Sequence, residues 1–281
     1  PFSLCDDIPQ AIGTELTVPV LDRNSMVLEG GAIEHDGNGT MMATRSSVTH
    51  SSRNPGLTEA QVETYLADNM GIEKFIWLDG LYGTEITDMH IDGVMKFAND
   101  STIVTMNNAD LLYWQLTQDD IDTLMAATNE AGIAYNFVII PLTANDVTTT
   151  YGNNLGYKGS YANYYIGNDA VLVPTYNDPN DATAISIIQG LYPSRTVVGI
   201  DVRNIYEYGG MVHCLTQQQP ATTITSLKES EAQSLQIFPS VFENDFAFVA
   251  PKQLDSETLE IYSIQGKLVF SMNINCTEGE K

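Results

Sequence analysis

Five side chains capable of chemistry stand in short, distinctive contexts in this sequence. Cys214 follows His213 and a Gly-Gly pair in "YGGMVHCLTQQQP", residues 208–220. Glu29 precedes another glycine pair in "LEGG". His90 and Asp92 lie two apart in "MHID", and Asn163 sits in "YANYY". A cysteine thiolate is a soft nucleophile, a histidine moves protons near neutral pH, and carboxylates orient imidazoles and hold cations. Each also has an ordinary reading on its own: a buried small thiol, a turn glutamate, a solvated aspartate. On a strand, His90 and Asp92 would share one side. Cys5, Cys214 and Cys276 are the only cysteines, and no CxxC occurs. Neither a zinc site nor a disulfide framework is signalled, and no metal or organic cofactor is expected.

A repeat could bring these residues together. Three segments share one grammar: two short strands around a turn, a helix, then a strand. In the first, "MVLEGGAIE" and "TMMAT" flank "HDGNG", followed by the helix "LTEAQVETYLADNM" and the strand "KFIWL". Thr58 and Gln61 fit a capping box, Val62, Tyr65, Leu66 and Met70 share a face, and Gly71 fits the C-terminal cap. The second pairs "HIDGVMKFA" with "STIVTM", then places the helix "TQDDIDTLMAATNEAG" behind Thr117 and the strand "NFVII". The third pairs "SYANYYI" with "AVLVPTY". Its helix opens at Asp178-Pro179, and "TVVGI" is its strand. A fourth unit opens at "MVHCLT" and is not completed downstream, as expected of a ring closed by joining chain ends. The chemically capable residues occupy equivalent places in these repeats, so a pseudo-symmetric ring would turn them toward one axis. Residues 221–234 have linker composition, and 235–281 alternate and turn as a small all-β module.

The bulk numbers narrow the partners. The 281 residues are 43% hydrophobic, enough to bury a core. Acidic residues number 36 and basic ones 12, a net charge of −24. That balance disfavours nucleic acid and anionic membrane surfaces and suits cationic ligands. No run of 18 apolar residues occurs, so no membrane span is expected.

With these residues in place, the sequence closely resembles the agmatine deiminases and the related bacterial peptidylarginine deiminases. "LEGGAIEHDGNGT", "RNP" at 53–55, "WLDG", "HID" and "GGMVHCLTQQQP" carry the likeness over roughly residues 10–220. The resemblance implies a pentein-like α/β fold, a pseudo-five-fold propeller, over residues 1–220. It implies Cys214 as the nucleophile on a guanidinium carbon, His90 as the proton shuttle, Glu29 as its orienting partner and Asp92 as the holder of the guanidinium. Asn163, Gly209 and Gly210 resemble site-lining positions. The family also carries an aspartate in an Arg-Asp-x-Gly-Pro segment ahead of the first "EGG". This sequence has no such segment, so one blade and one clamp carboxylate are expected to be missing from it. Arg45 stands where agmatine deiminases usually carry an acid. A guanidinium there would suit a substrate carboxylate, while the ordinary reading has it face solvent or pair with a local acid. Residues 235–281 resemble the sorting modules of proteins exported by the type IX route, which implies a secreted or cell-surface protein.

The leading expectation is thus a guanidine hydrolase acting on agmatine or an arginine-bearing peptide. Amidino transfer, with an amine in place of water, is the second enzymatic reading. A cell-surface binding propeller without catalysis is the reading from another class. A papain-type hydrolase fits worst, because the residues around Cys214 do not match that pattern.

Overall fold

The computed structural model describes residues 8–16, 20, 25–218 and four further strands at 236–238, 247–249, 254–262 and 268–276. Two compact units divide the chain, residues 1–218 and 219–281. The first holds an opening helix α1 (Ile8–Leu16) and three small sheets of one design. In each sheet the middle strand pairs antiparallel with the strand before it and parallel with the strand after the helix. The first sheet is β1 (Ile33–His35), β2 (Thr40–Thr44) and β3 (Lys74–Leu78). The short helix α2 (Arg45–Val48) and then α3 (Glu59–Met70) precede β3. The second is β4 (Met95–Asn99), β5 (Thr102–Thr105) and β6 (Asn136–Ile139), with α4 (Asn108–Tyr113) and α5 (Gln118–Met125) in the crossover. The third is β7 (Tyr165–Ile166), β8 (Ala170–Thr175) and β9 (Thr196–Asp201), crossed by α6 (Asp181–Leu191). It is followed by α7 (Arg203–Tyr206).

Local chemistry sets these boundaries. Thr58 and Gln61 form the reciprocal capping box of α3, and Gly71 ends it in the left-handed region at φ 69°. Val62 and Leu66 bury fully, Tyr65 partly, and Met70 stays exposed in the last turn. All five residues of β2 are buried, the pattern of a strand covered on both faces rather than an alternating one. Three buried clusters form the core, two of them shared between sheets: Met42 and Leu78 of the first sheet pack with the second, and Val104 of the second packs with the third. Met41, Ala43 and Leu66 serve the first, Met95, Ile103 and Leu124 the second, Val171, Val173 and Ile188 the third. Each of these side chains larger than alanine contributes roughly 1.5–3 kcal/mol on burial.

Three boundaries differ from the sequence reading. The helix expected over 117–132 ends at Met125, because Asn129 and Gly132 (φ 77°) fold the chain back to an isolated bridge between Thr128 and Ala134. The third helix starts at Asp181 rather than after Asp178. Asp178 instead accepts from the backbone N–H groups of Ala144, Asn145 and Asn180. The front strands are also shorter than expected. Gly30–Ala32, Ile91–Gly93 and His213–Leu215 are single 3-10 turns. His90 and Asp92 therefore do not lie on a strand, and the fourth unit opens with a helical turn.

In the second unit β10 (Gln236–Phe238) pairs antiparallel with β11 (Ala247–Val249), and β12 (Leu254–Tyr262) with β13 (Leu268–Cys276). The stretch expected as a linker, 221–234, lies outside the described residues, as does Cys5. Among the described residues no helix is long and apolar enough to cross a membrane.

Candidate active site

The three 3-10 turns and the residues flanking them hold most of the side chains capable of chemistry. A 3-10 turn closes on i→i+3 hydrogen bonds and points successive side chains apart, so each turn presents one or two polar groups. The turn at Gly30–Ala32 packs against those at Ile91–Gly93 and His213–Leu215. Glu29 and His90 are their N-terminal flanking residues, Asp92 lies inside the second, and His213 and Cys214 form the third. Residues 61 and 124 positions from His90 thereby meet it at one centre.

The contacts are specific. His90 Nε2 lies 2.6 Å from Glu29 Oε2. An ionised carboxylate only accepts, so Nε2 carries the proton of that bond. Asp92 is almost fully buried, and its Oδ2 accepts from His213 Nδ1 at 2.8 Å. The Cys214 thiol faces the same oxygen at 3.9 Å. Asn163, wholly buried, donates from Nδ2 to Cys214 Sγ at 3.5 Å, and its Oδ1 accepts from the His213 backbone N–H at 2.8 Å. Asn163 thus fixes the third turn through both ends of its amide. Cys214 as a residue is exposed, but its sulfur is crowded by Asp92 and Asn163. Desolvation of the sulfur and the Asp92 charge push its pKa up from the ordinary thiol value. Without a ligand the thiol is protonated at neutral pH.

His90, Asp92 and Cys214 line a single cavity of about 410 Å³, the size of a small-ligand site. Tyr113, Trp114, Tyr157, Tyr206 and Met211 supply apolar wall, and Glu85 and Lys158 are its other charged side chains. Burial pushes the pKa values of Tyr157 and Tyr206 upward, so both stay neutral. Among the described residues no cluster of three or more His, Cys, Asp and Glu is arranged to hold a metal ion.

Of the residues read from the sequence, Glu29, His90, Asp92, Asn163 and Cys214 are brought together. Gly209, in the left-handed region at φ 85°, lines the cavity. Gly210 does not; a Cβ there would stand 2.9 Å from Ile205 Cγ2, so its absence serves packing. Arg45 is a correction. Its guanidinium bonds Glu59 at 2.7 Å and Asp79 at 2.9 Å and is not part of the cavity wall. Two acids on neighbouring elements hold it, which is the ordinary reading and not a substrate contact.

Other residues at the centre were not singled out from the sequence. His213 was seen only as the neighbour of Cys214. Gly31 is required by space: a Cβ there would stand 2.7 Å from both Asp92 Oδ2 and His90 Nδ1. The second glycine of "LEGG" was the available signal, since Gly30 has open space around it.

A mixed α/β molecule with a cysteine, histidine and paired acids converging from successive repeats belongs to the pentein class of α/β proteins, the class of its structural neighbours. More particularly, the chain belongs to the Porphyromonas-type peptidyl-arginine deiminase family, whose profile matches residues 1–220. It is 33% identical over 219 residues to the agmatine deiminase of Pseudomonas fluorescens, covering 69% of this chain and 57% of that protein. Among solved structures, agmatine deiminase of Enterococcus faecalis superimposes with a TM-score of 0.69 at 28% identity. The match covers 78% of this chain and 64% of that one. A Porphyromonas gingivalis structure, described provisionally as an arginine deiminase, gives 0.66 at 34% identity, covering 77% and 65%. The chain spans 57–59% of the length of the curated relatives it matches.

Proposed function

We propose that this chain carries the catalytic centre of a cysteine-dependent guanidine hydrolase, a deiminase. The observation that supports it most is the Cys214 thiol 3.9 Å from Asp92 in a cavity that His90 also lines. A guanidinium bound by Asp92 offsets the carboxylate charge that disfavours the thiolate. Sγ then gives its proton to His90, whose Nδ1 is not taken by Glu29, attacks the guanidinium carbon and forms the C–S bond. His90, oriented by Glu29, gives a proton to one amino group, and the C–N bond breaks with release of ammonia. Water next yields a proton to His90 and forms the C–O bond. The C–S bond breaks, the remaining hydroxyl proton leaves with ammonia as ammonium, His90 returns its proton to the thiolate, and a ureido product remains.

The substrate tail follows from the charges of the cavity wall. The Glu85 carboxylate is taken up locally, accepting from the backbone N–H of Thr87 and of Met89 and from the Thr87 hydroxyl. Lys158 has no ion-pair partner among the described residues. Its ammonium sits 5.7 Å from the centre of the Tyr113 ring, free to meet an anion. We infer a guanidine bearing a carboxylate, free arginine or a C-terminal peptide arginine, in preference to agmatine. The three sheets and the opening turn of a fourth unit fit a pseudo-five-fold ring, and the second unit fits a sorting module of an exported protein. Ammonia release from agmatine, arginine and arginine-ended peptides tests the reading, using this chain beside a form extended upstream of Pro1. Release by neither form from any of the three compounds sinks it.

A further inference from the structure

The stretch "RNP" at 53–55 has no part in the reaction above, yet Arg53 reaches the catalytic centre. It follows α2 on the connection to α3, and its side chain is 16% exposed. Its guanidinium spans two acids from different repeats. Nη1 donates to Asp88 Oδ2 at 2.5 Å, and Nε donates to Glu29 Oε2 at 3.4 Å. The second oxygen is the one that accepts from His90 Nε2. Nη2 adds a long bond to the Ile86 carbonyl at 3.4 Å.

Asp88 sits where the backbone needs holding. Asp88 (φ 55°) and Met89 (φ 67°) are consecutive non-glycine residues in the left-handed region, immediately before His90. Such a conformation costs on the order of 1–3 kcal/mol per residue and persists only where the surroundings fix it. Here they do. The Ser46 hydroxyl donates to the Asp88 carbonyl and the Thr44 hydroxyl to the Met89 carbonyl, both at 2.7 Å. The Gly83 N–H donates to Asp88 Oδ1 at 2.7 Å. Among the described residues, Arg53 is the side chain that bonds both this turn and the acid on His90 Nε2. It also neutralises two carboxylates that meet on one guanidinium and would otherwise repel each other. The charges of Glu29 and Asp88 in turn raise the pKa of Arg53 against its burial.

We propose that Arg53 is a positioning residue of the catalytic centre, clamping Glu29 and Asp88 and so fixing the His90 ring from its carboxylate partner and from its backbone at once. The proposal rests on the deiminase reading for its kinetic consequence but not for its structural one. Arg53→Met and Arg53→Lys are the test variants. The first measurement needs no turnover: the imidazole Nε2–H resonance of His90 in proton NMR, assigned by its loss in His90→Gln. Held by Glu29, it is expected to be visible in the unaltered chain. It should be lost to exchange with water in Arg53→Met, and partly recovered in Arg53→Lys, which can serve one acid but not both. The second is steady-state ammonia release by the active form. Arg53→Met should lower kcat at least about ten-fold while KM stays within about two-fold, since the ring acts on the transition state more than on binding. A His90 resonance and a kcat both unchanged in a folded Arg53→Met overturn the proposal and leave Arg53 a brace, whatever happens to thermal stability. Loss of the resonance in a chain that releases no ammonia in any form supports the clamp and counts against the deiminase reading instead. Should Arg53→Met fail to fold, Asp88→Asn, which keeps shape and removes charge, carries the same expected loss and the same power to refute.

Discussion

A thiol facing a carboxylate resists ionisation until another charge cancels that carboxylate. Cys214 is in this position, with its pKa raised by desolvation and by Asp92. Alkylation of Cys214 by iodoacetamide, followed against pH, should therefore have its midpoint above that of an ordinary thiol, about 8.5. Asp92→Asn removes the negative neighbour and should bring the midpoint down; a midpoint unmoved by this change would dissociate the two groups. A second expectation concerns bulk. Gly31→Ala places a methyl group where Asp92 and His90 now stand. A displacement of about 1 Å at such a centre costs on the order of 10²-fold in rate, so ammonia release should fall by that factor while the far-UV circular dichroism stays as it was. The third is a charge reversal at the cavity wall. Lys158→Glu should lower kcat/KM on carboxylate-bearing guanidines and raise it on agmatine, by about ten-fold for each 1.4 kcal/mol gained or lost. An unaltered ratio would remove Lys158 as the selector, as the geometry has already removed Arg45.

Between elements, the sheets are joined by polar contacts that no local pattern announces. The ammonium of Lys96 on β4 bonds Glu34 on β1, and their side chains are only 4% and 9% exposed. Lys96 also stands 5.8 Å from the Tyr164 ring centre, just ahead of the third sheet. Removing one member, as in Lys96→Met or Glu34→Gln, leaves a buried charge or acceptor without its partner and should cost about 3–5 kcal/mol. The pair Lys96→Met with Glu34→Leu should cost markedly less than the sum, which chemical denaturation of the four proteins can measure. The same distinction explains what the sequence disclosed. The capping box at Thr58, the stop at Gly71 and the hairpin-helix-strand grammar rest on neighbours within a few residues, and all are found in the fold. The 3-10 turns at 30–32, 91–93 and 213–215 leave no mark in the sequence that separates them from strand, because a single i→i+3 turn has no periodicity to detect. The pairing of Arg45 is not legible locally because its partners, Glu59 and Asp79, are 14 and 34 residues away. Arg53 stands out in the sequence as part of a motif but not as a clamp for the same reason: Glu29 and Asp88 are 24 and 35 residues distant.

Over the whole molecule the excess of acid is the dominant electrostatic fact: 36 acidic residues against 12 basic ones. A field of that sign attracts cations to a cleft and raises their rate of encounter, and the effect is screened as the Debye length shortens from about 30 Å at 0.01 M salt to about 8 Å at 0.15 M. Local charge at the wall of the cavity acts at contact distance and is screened less. The two contributions therefore separate by substrate. Agmatine carries two positive charges, so its kcat/KM should fall steeply between these salt concentrations. Arginine with a free amino and carboxyl group carries one net positive charge and should fall less. A C-terminal arginine in a blocked peptide has no net charge and should respond least. Measuring kcat/KM for the three compounds at 0.01 M and 0.15 M sodium chloride gives the order directly. If all three respond alike, the acidic surface serves solvation and does not steer the substrate. If the blocked peptide remains the best substrate at both salt concentrations, selection lies in the wall, where Lys158 stands, and the field of the molecule only sets how fast a cationic guanidine arrives.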